Sequence, residues 1–186
     1  MELIIITQPG IADETAIAGR LLAEGRVRIH LRKPGATREQ MAAWVEQIEP
    51  SLRRRIVVHD HFDLAPQYGL GGIHLGSRNP GVPEWFDPER FSLSRSCHST
   101  DEVRREQGNY DYVFLSPVFD SISKQGYRAA FTRGELAEAR DILSRNVYAL
   151  GGVTLGRLPL VERLGFAGAA MLGGFWQRED RETIKF

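Results

Sequence analysis

Short apolar runs alternate along this chain with segments in which apolar residues recur at helical spacing. The short runs, which are rich in β-branched residues, are residues 3–6, 27–31, 56–58, 72–75, 91–97, 112–115, 147–150 and 167–172. The segments with helical spacing are residues 12–23, 38–48, 99–106, 132–143 and 157–164. A short continuous apolar run is typical of a strand buried on both faces, and a 3.6-residue period is typical of an amphipathic helix. The pattern therefore predicts eight strands with helices between most of them.

Regular alternation of buried strands with helices predicts right-handed βαβ units and a parallel sheet. Eight units favour a closed (β/α)₈ TIM barrel, with an open, doubly wound sheet as the alternative. The chain has 186 residues, which is short for a barrel that usually needs about 250. We therefore expect some helices to be short or missing, above all near residues 64–68 and in the Pro-containing segment 77–90. No linker or change of composition divides the chain, which predicts one barrel domain over residues 1–186.

Charge and cysteine content narrow the classes of partner and the compartment. Lys plus Arg and Asp plus Glu number 24 each, so nothing favours binding to nucleic acid or to an anionic membrane surface. The single cysteine, Cys97, excludes an internal disulfide framework and fits a reducing cytoplasm. The apolar run at the amino terminus is too short to span a membrane and lacks the basic leader of a signal peptide. We expect a cytoplasmic protein that recognises a small molecule.

All five histidines lie in or directly after predicted strands: His30, His59, His61, His74 and His98. In a barrel, side chains at the carboxyl ends of the strands form the active site. His59 and His61 have a metal-ligand spacing that is also used in barrel hydrolases. In those enzymes the pair belongs to the first strand and further ligands follow, whereas no histidine follows His98 here. We therefore expect no metal-hydrolase site, and the roles of His30, His61 and His74 stay open.

The stretch SRSCHST, residues 94–100, contains the lone cysteine beside a histidine. Neighbouring residues of a strand point to opposite faces, so Cys97 and His98 cannot face each other as nucleophile and base. We expect Cys97 to be a small apolar packing residue. His98 remains a candidate for acid/base chemistry.

Two glycine pairs close the seventh and eighth predicted strands: Gly151 and Gly152, and Gly173 and Gly174. Glycine lets an anion approach backbone N–H groups closely, and the loops after strands seven and eight are the recurrent phosphate site of such barrels. The two pairs therefore predict a phosphate-bearing substrate. The loop after strand six adds two hydroxyls and a cation, Ser121, Ser123 and Lys124, which could close over an anionic substrate.

Six blocks of sequence together resemble the thiamine-phosphate synthase and thiazole tautomerase (TenI-like) superfamily over nearly the whole chain. They are IHLR at 29–32, VHDHFDLA at 58–65, GIHLG at 72–76, SRSCHS at 94–99, YVFLSPVF at 112–119, followed by Ser123 and Lys124, and YALGGV at 148–153. The resemblance implies the (β/α)₈ barrel independently of the hydrophobic pattern. It also implies one of two activities in thiamine biosynthesis.

The synthase couples hydroxymethylpyrimidine diphosphate to a thiazole phosphate, using Mg²⁺ held by two Asp residues. Asp60 matches the first of these positions, but Asn79 stands at the second, beside Arg78. Pro34 replaces the lysine expected after the second strand, and His59 stands where the synthase usually has Asn. Because Mg²⁺ needs carboxylate charge to offset its dehydration, these departures weigh against the synthase, which we keep as the alternative.

The tautomerase branch resembles this chain better, above all in the Arg95-Ser96-x-His98 pattern. It isomerises a carboxylated thiazole phosphate and implies His98 as the acid/base. An imidazole with an unperturbed pKa of about 6.5 both donates and accepts protons near neutral pH. The resemblance and the loop positions together predict a substrate-binding set: Arg32, His59, Asp60, Ser96, Ser121, Ser123 and Lys124.

The tautomerase requires no metal or redox cofactor. A third option is a barrel of the same kind that binds a thiamine-related phosphate without converting it. The sequence leaves the oligomeric state open, and a homodimer is one option because many barrels of this kind pair through their helices.

Overall fold

The computed structural model describes residues 1–120 and 129–178, and its strands form a closed parallel barrel. The strands β1 to β8 are Glu2–Ile6, Val27–Leu31, Ile56–Val58, Gly72–Leu75, Ser92–Cys97, Tyr112–Leu115, Val147–Ala149 and Gly168–Met171. Each strand pairs in parallel with the next one along the chain, and β8 pairs with β1 to close the ring. The predicted (β/α)₈ barrel is confirmed, and the open-sheet alternative is wrong.

Eight α-helices occur in the described part of the chain. They are α1 to α8: Glu14–Ala23, Arg38–Glu46, Leu64–Tyr68, Thr100–Glu106, Arg133–Glu138, Arg140–Asn146, Leu158–Leu164 and Gly173–Trp176. The helix near residues 64–68 has only five residues, and residues 77–90 form none, as expected for so short a barrel. The predicted helix 132–143 is instead two helices that meet at Ala139.

Side chains of the helix-capping type mark where three of the helices begin. The Thr37 and Thr132 hydroxyls accept hydrogen bonds from the backbone N–H of Gln40 and Glu135, and both positions form a capping box. The Ser99 hydroxyl accepts from the backbone N–H of Glu102 at the start of α4, without a capping box. Because such caps satisfy N–H groups that a helix leaves unpaired, they define the loop that leads from each strand into its helix.

The strands are buried on both faces, which explains their continuous apolar runs. In β1, Leu3 and Ile5 pack in the layer between barrel and helices, while Ile4 and Ile6 pack inside the barrel. The same alternation recurs in β7, where Tyr148 lies inside and Val147 lies in the outer layer. The barrel is therefore filled by side chains, with the outer layer forming the larger core.

The barrel interior is apolar on one side and polar on the other. The apolar side contains Ile4, Ile6, Tyr112, Phe114, Tyr148 and Ala170. The polar side includes His30, His74 and Ser94, which are all fully or almost fully buried. Burial of polar groups is costly unless they are hydrogen-bonded, so these residues must form a bonded network.

Within the described ranges, no helix is long and apolar enough to cross a membrane.

Candidate functional site

A cavity of about 520 Å³ opens at the carboxyl ends of the strands, and every strand or the loop after it contributes to its wall. We call it the central cavity. Its lining includes Arg32, His59, His74, Arg78, Ser96, His98, Ser116, Gly151, Gly152, Gly173 and Gly174. His98 and both predicted glycine pairs, which are far apart in sequence, therefore meet in one cavity of a size typical for a small ligand.

Strand alternation along β5 decides which of its side chains reach the cavity side. Ser94 and Ser96 lie on the inner face, where their hydroxyls bond the two ring nitrogens of His74 at 2.9 Å each. Arg95 lies on the outer face and pairs with Glu102 and Glu106 of α4, at 3.2 Å each. Arg95 of the Arg-Ser-x-His pattern therefore joins strand to helix, and Ser96 is the member beside His98 that lines the cavity.

Cys97 is fully buried in the outer layer, on the face opposite Ser96. Burial, followed by the nearby charge of Glu102, raises the pKa of its thiol to about 12. The thiolate is therefore not accessible near neutral pH, and the prediction that Cys97 is a packing residue is confirmed.

His98 follows β5 at the exposed edge of the central cavity. Its backbone N–H donates to Glu102 Oε2 at 2.7 Å, which fixes the loop against α4. Its Nδ1 lies 3.1 Å from the carbonyl oxygen of Ser116. Because a carbonyl can only accept, Nδ1 carries the hydrogen, and Nε2 of the neutral ring holds a lone pair. His98 thus offers one nitrogen that can accept and return a proton.

Two arginines give the central cavity its positive charge. Arg32 is half-buried, and burial followed by repulsion from Arg78 lowers its pKa, against the opposing effect of Asp60. Within the described residues, the Arg32 guanidinium has neither a hydrogen bond nor an ion pair of its own. The neighbouring Lys33 is different, because its ammonium lies 2.5 Å from Glu14 and outside the cavity lining. Arg32 is therefore a cation available to an anionic ligand.

Asp60 lies beside the cavity but is not among the residues that line it. Its Oδ2 pairs with Arg78 Nη2 at 2.9 Å, and its Oδ1 accepts from Asn79 Nδ2 at 2.7 Å. The described residues that line the cavity include no Asp or Glu. Mg²⁺ prefers carboxylate oxygens that are not already held by a cation. The residues present therefore do not fit Mg²⁺, and the predicted contact of Asp60 with substrate has no support from the cavity lining.

His30, His59 and His74 form a cluster that begins in the barrel interior and ends at the cavity wall. His30 Nδ1 lies 2.9 Å from His59 Nε2, and His30 Nε2 lies 2.7 Å from the Tyr112 hydroxyl. The ring of His59 stacks on that of His74, with centroids 4.2 Å apart. The sequence predicts these histidines in or directly after separate strands, and the structure brings them together.

Burial is the first cause that lowers the pKa of each histidine in the cluster. Neighbouring positive charges act in the same direction, and the pKa of His74 falls to about 3. All three rings are therefore neutral near neutral pH.

Nitrogens of these three rings lie within 4.8 Å of one another, which raises the question of a metal site. Imidazole lone pairs lie in the ring plane, and the rings of His59 and His74 are stacked at 24°. Their lone pairs therefore run side by side and do not converge on one metal position, so a hydrogen-bonded network explains the cluster better.

His61 lies apart from the central cavity. Its Nε2 donates to the carbonyl of Ala36 at 3.1 Å, and its backbone is in the left-handed region, with φ 52°. His59 and His61 therefore do not form a ligand pair.

The glycine pair after β7 adopts backbone conformations that other residues rarely reach. Gly151 and Gly152 have φ of 90° and 63°. A Cβ on Gly152 would lie 2.3 Å from the backbone oxygen of Asp120, and one on Gly174 would lie 2.0 Å from that of Val153. Glycine is thus required at these positions, and all four predicted glycines line the cavity. Ser121, Ser123 and Lys124 lie outside the described residues.

Arg78 and Ser116 also line the cavity, although sequence analysis did not place them in the site. Arg78 was weighed there only for its effect on Mg²⁺. Its position in the loop that follows β4, at the carboxyl end of a barrel strand, is the signal that could have identified it.

The thiamine monophosphate synthase family model matches residues 3–175 of the chain. The chain belongs to this family. A thiamine-phosphate synthase of Caldivirga maquilingensis is 30% identical over 171 residues, covering 88% of this chain and 82% of the relative. One of Thermus thermophilus is 31% identical over 173 residues, covering 88% and 82%. Membership places the chain among the enzymes of thiamine biosynthesis and confirms the predicted resemblance.

Solved structures agree with this assignment. A crystal structure of thiamine phosphate pyrophosphorylase from Bacteroides thetaiotaomicron is similar to this chain, with 36% identity and a TM-score of 0.84. The match covers 100% of this chain and 90% of the other. The relatives are named for the coupling activity, so their names favour the synthase alternative over the tautomerase that sequence analysis preferred.

Proposed function

We propose that this family member isomerises a small phosphorylated heterocycle that carries a carboxylate, of the thiazole phosphate type. The observation that supports this proposal is the make-up of the central cavity. It combines three imidazoles, among them that of His98, with two arginines and glycine backbone, and the described residues that line it include no carboxylate. Such a cavity suits an anionic substrate and a proton shift.

In this reaction His98 Nε2 accepts a proton from a ring carbon of the substrate and returns it to another ring atom. The hydrogen bond from Nδ1 to Ser116 holds the ring so that Nε2 stays available. Acid/base groups placed in this way contribute roughly 10²–10⁴ in rate. Each proton removed is returned, so the substrate and product are isomers and no other reactant is needed.

Substrate charges are matched by separate parts of the cavity. The Arg32 guanidinium, free of partners among the described residues, would bind the carboxylate through its two-pronged face. The phosphate would lie against the backbone of the glycine pairs after β7 and β8, which line the cavity.

The second candidate is the synthase, and the names of the relatives favour it. It would couple pyrimidine diphosphate to thiazole phosphate with Mg²⁺. The arrangement of Asp60, held by Arg78 and Asn79, weighs against it.

The deciding experiment is proton NMR of the carboxythiazole phosphate tautomer incubated with the protein. One sample contains the protein alone, and another contains pyrimidine diphosphate and Mg²⁺ as well. We expect the aromatic isomer in both samples at the same rate. Coupled product that disappears with a chelator would instead establish the synthase. Binding by calorimetry without either product would favour a non-catalytic barrel.

Substitution His98→Asn tests the assigned role. We expect the isomerisation rate to fall by about 10²–10⁴ with substrate binding nearly unchanged. His61→Asn is the matched control, because it removes an imidazole outside the cavity at a left-handed position that Asn tolerates. Full activity of His98→Asn would exclude the role.

A further inference from the structure

A chain of hydrogen bonds runs from the barrel interior to the central cavity through Tyr112, His30 and His59. Tyr112 and His30 are fully or almost fully buried, and His59 is half-buried in the cavity wall. The links are 2.7 Å between Tyr112 hydroxyl and His30 Nε2, and 2.9 Å between His30 Nδ1 and His59 Nε2. The proton shift by His98 does not use this chain.

Each link needs one donor and one acceptor, so one hydrogen position determines all the others. If the Tyr112 hydroxyl donates to His30 Nε2, the hydrogen of His30 is on Nδ1 and donates to His59 Nε2. The hydrogen of His59 is then on Nδ1. The opposite direction would leave a lone pair on His59 Nδ1.

The charge of Arg28 favours the first direction. Its guanidinium carbon lies 5.3 Å from the centre of the Tyr112 ring, and a cation cannot accept the hydroxyl hydrogen. Arg28 therefore favours the direction in which the hydroxyl hydrogen points to His30 Nε2, and the Ser94 hydroxyl, which also faces Tyr112, is the competing acceptor. Burial and neighbouring positive charges lower the pKa of both histidines well below the usual value, so both rings remain neutral.

Nδ1 of His59 has no hydrogen-bond partner among the described residues. This nitrogen is not among the fully buried polar atoms that lack a partner. It is therefore partly accessible, as expected for an atom that reaches the cavity. The arrangement leaves His59 with an N–H donor fixed in direction, in the same cavity as His98.

We propose that His59 is a second catalytic residue, a neutral imidazole whose Nδ1–H hydrogen-bonds the substrate atom on which negative charge accumulates. This rests on the proposed proton shift. When His98 takes the proton, the C–H electron pair spreads into the conjugated ring and its carboxylate. A fixed donor stabilises that charge, and the proton then returns from His98 to another ring atom. Tyr112 and His30 are positioning residues, since they act by fixing the hydrogen on His59.

The first test measures where the hydrogen lies. Nitrogen-15 NMR of the imidazoles in the wild-type protein at neutral pH should show His59 neutral and protonated at Nδ1. Tyr112→Phe removes one hydroxyl and should allow His59 to populate the other tautomer, which a merely structural role of Tyr112 would not change. A wild-type His59 protonated at Nε2, or charged, would overturn the proposal.

The second test measures the rate. His59→Leu removes the donor and should lower kcat by about 10²-fold with KM changed by less than about threefold. His59→Asn keeps a short N–H donor and should retain about tenfold more activity than His59→Leu. A wild-type kcat in His59→Leu would overturn the proposal while the proton shift stands. Absence of turnover in the wild type would instead refute the proposed function, and the tautomer measurement would still test the chain.

Discussion

Arg32 offers the sharpest test of how the central cavity recognises its ligand, through the substitution Arg32→Met. Methionine keeps much of the length and apolar volume of the side chain and removes the charge. In the described structure the guanidinium has no partner of its own, and both burial and Arg78 disfavour its charge. Removal of this charge by Arg32→Met should therefore leave the ligand-free protein as stable as the wild type, or slightly more stable.

The effect on binding follows from the energy of a charged hydrogen bond. Such bonds contribute about 1.5–3 kcal/mol, and about 1.4 kcal/mol corresponds to a tenfold change in the dissociation constant. Arg32→Met should thus weaken binding of the carboxylated thiazole phosphate by about 10- to 150-fold. Binding of the same phosphate without its carboxylate should change by less than about threefold, since Arg32 is assigned to the carboxylate.

Isothermal titration calorimetry with the two ligands measures the difference, and urea unfolding checks the fold. Arg38→Met is the matched control, because it removes one positive charge from the exposed face of α2, outside the cavity. Equal weakening for both ligands would show that Arg32 binds the phosphate. No weakening for either ligand would refute the reasoning that an unpaired cation in this cavity is a ligand-binding group.

Two further predictions concern stability. Arg95→Met removes the ion pairs with Glu102 and Glu106, which are partly exposed. This substitution should lower the free energy of unfolding by about 1 kcal/mol without changing kcat. Loss of activity at unchanged stability would place Arg95 in the cavity instead. The folded-state pKa of His74 is about 3, below its unfolded value of about 6.5, so the unfolded chain binds the extra proton between these pH values. The free energy of unfolding should therefore fall by about 1.4 kcal/mol per pH unit from this group as the pH decreases below about 6.5, in urea titrations at stepped pH. His74→Gln should show a shallower slope, and an unchanged slope would contradict the assignment.

Local pattern was sufficient to predict the barrel because strand and helix periods are properties of neighbouring residues. All eight strands lie within two residues of the predicted runs at each end. The opposite orientation of Cys97 and His98 followed from strand alternation alone. The location of the glycine pairs beside the cavity followed from the rule that active sites of barrels lie at the carboxyl ends of the strands. The split of the predicted helix at Ala139 was missed, because both halves keep the same apolar period.

The chemistry of the cavity depends on contacts between residues that no local pattern connects. Tyr112 and His30 are 82 positions apart, yet their hydrogen bond determines which nitrogen of His59 carries a hydrogen. Glu14 pairs with Lys33, Arg32 has no partner among the described residues, and Arg78 and Asn79 occupy the oxygens of Asp60. The sequence by itself determined the strands whose carboxyl ends form the rim of the barrel. Only the tertiary structure decided which of their charges and hydrogens remain available, because that depends on partners contributed by other strands.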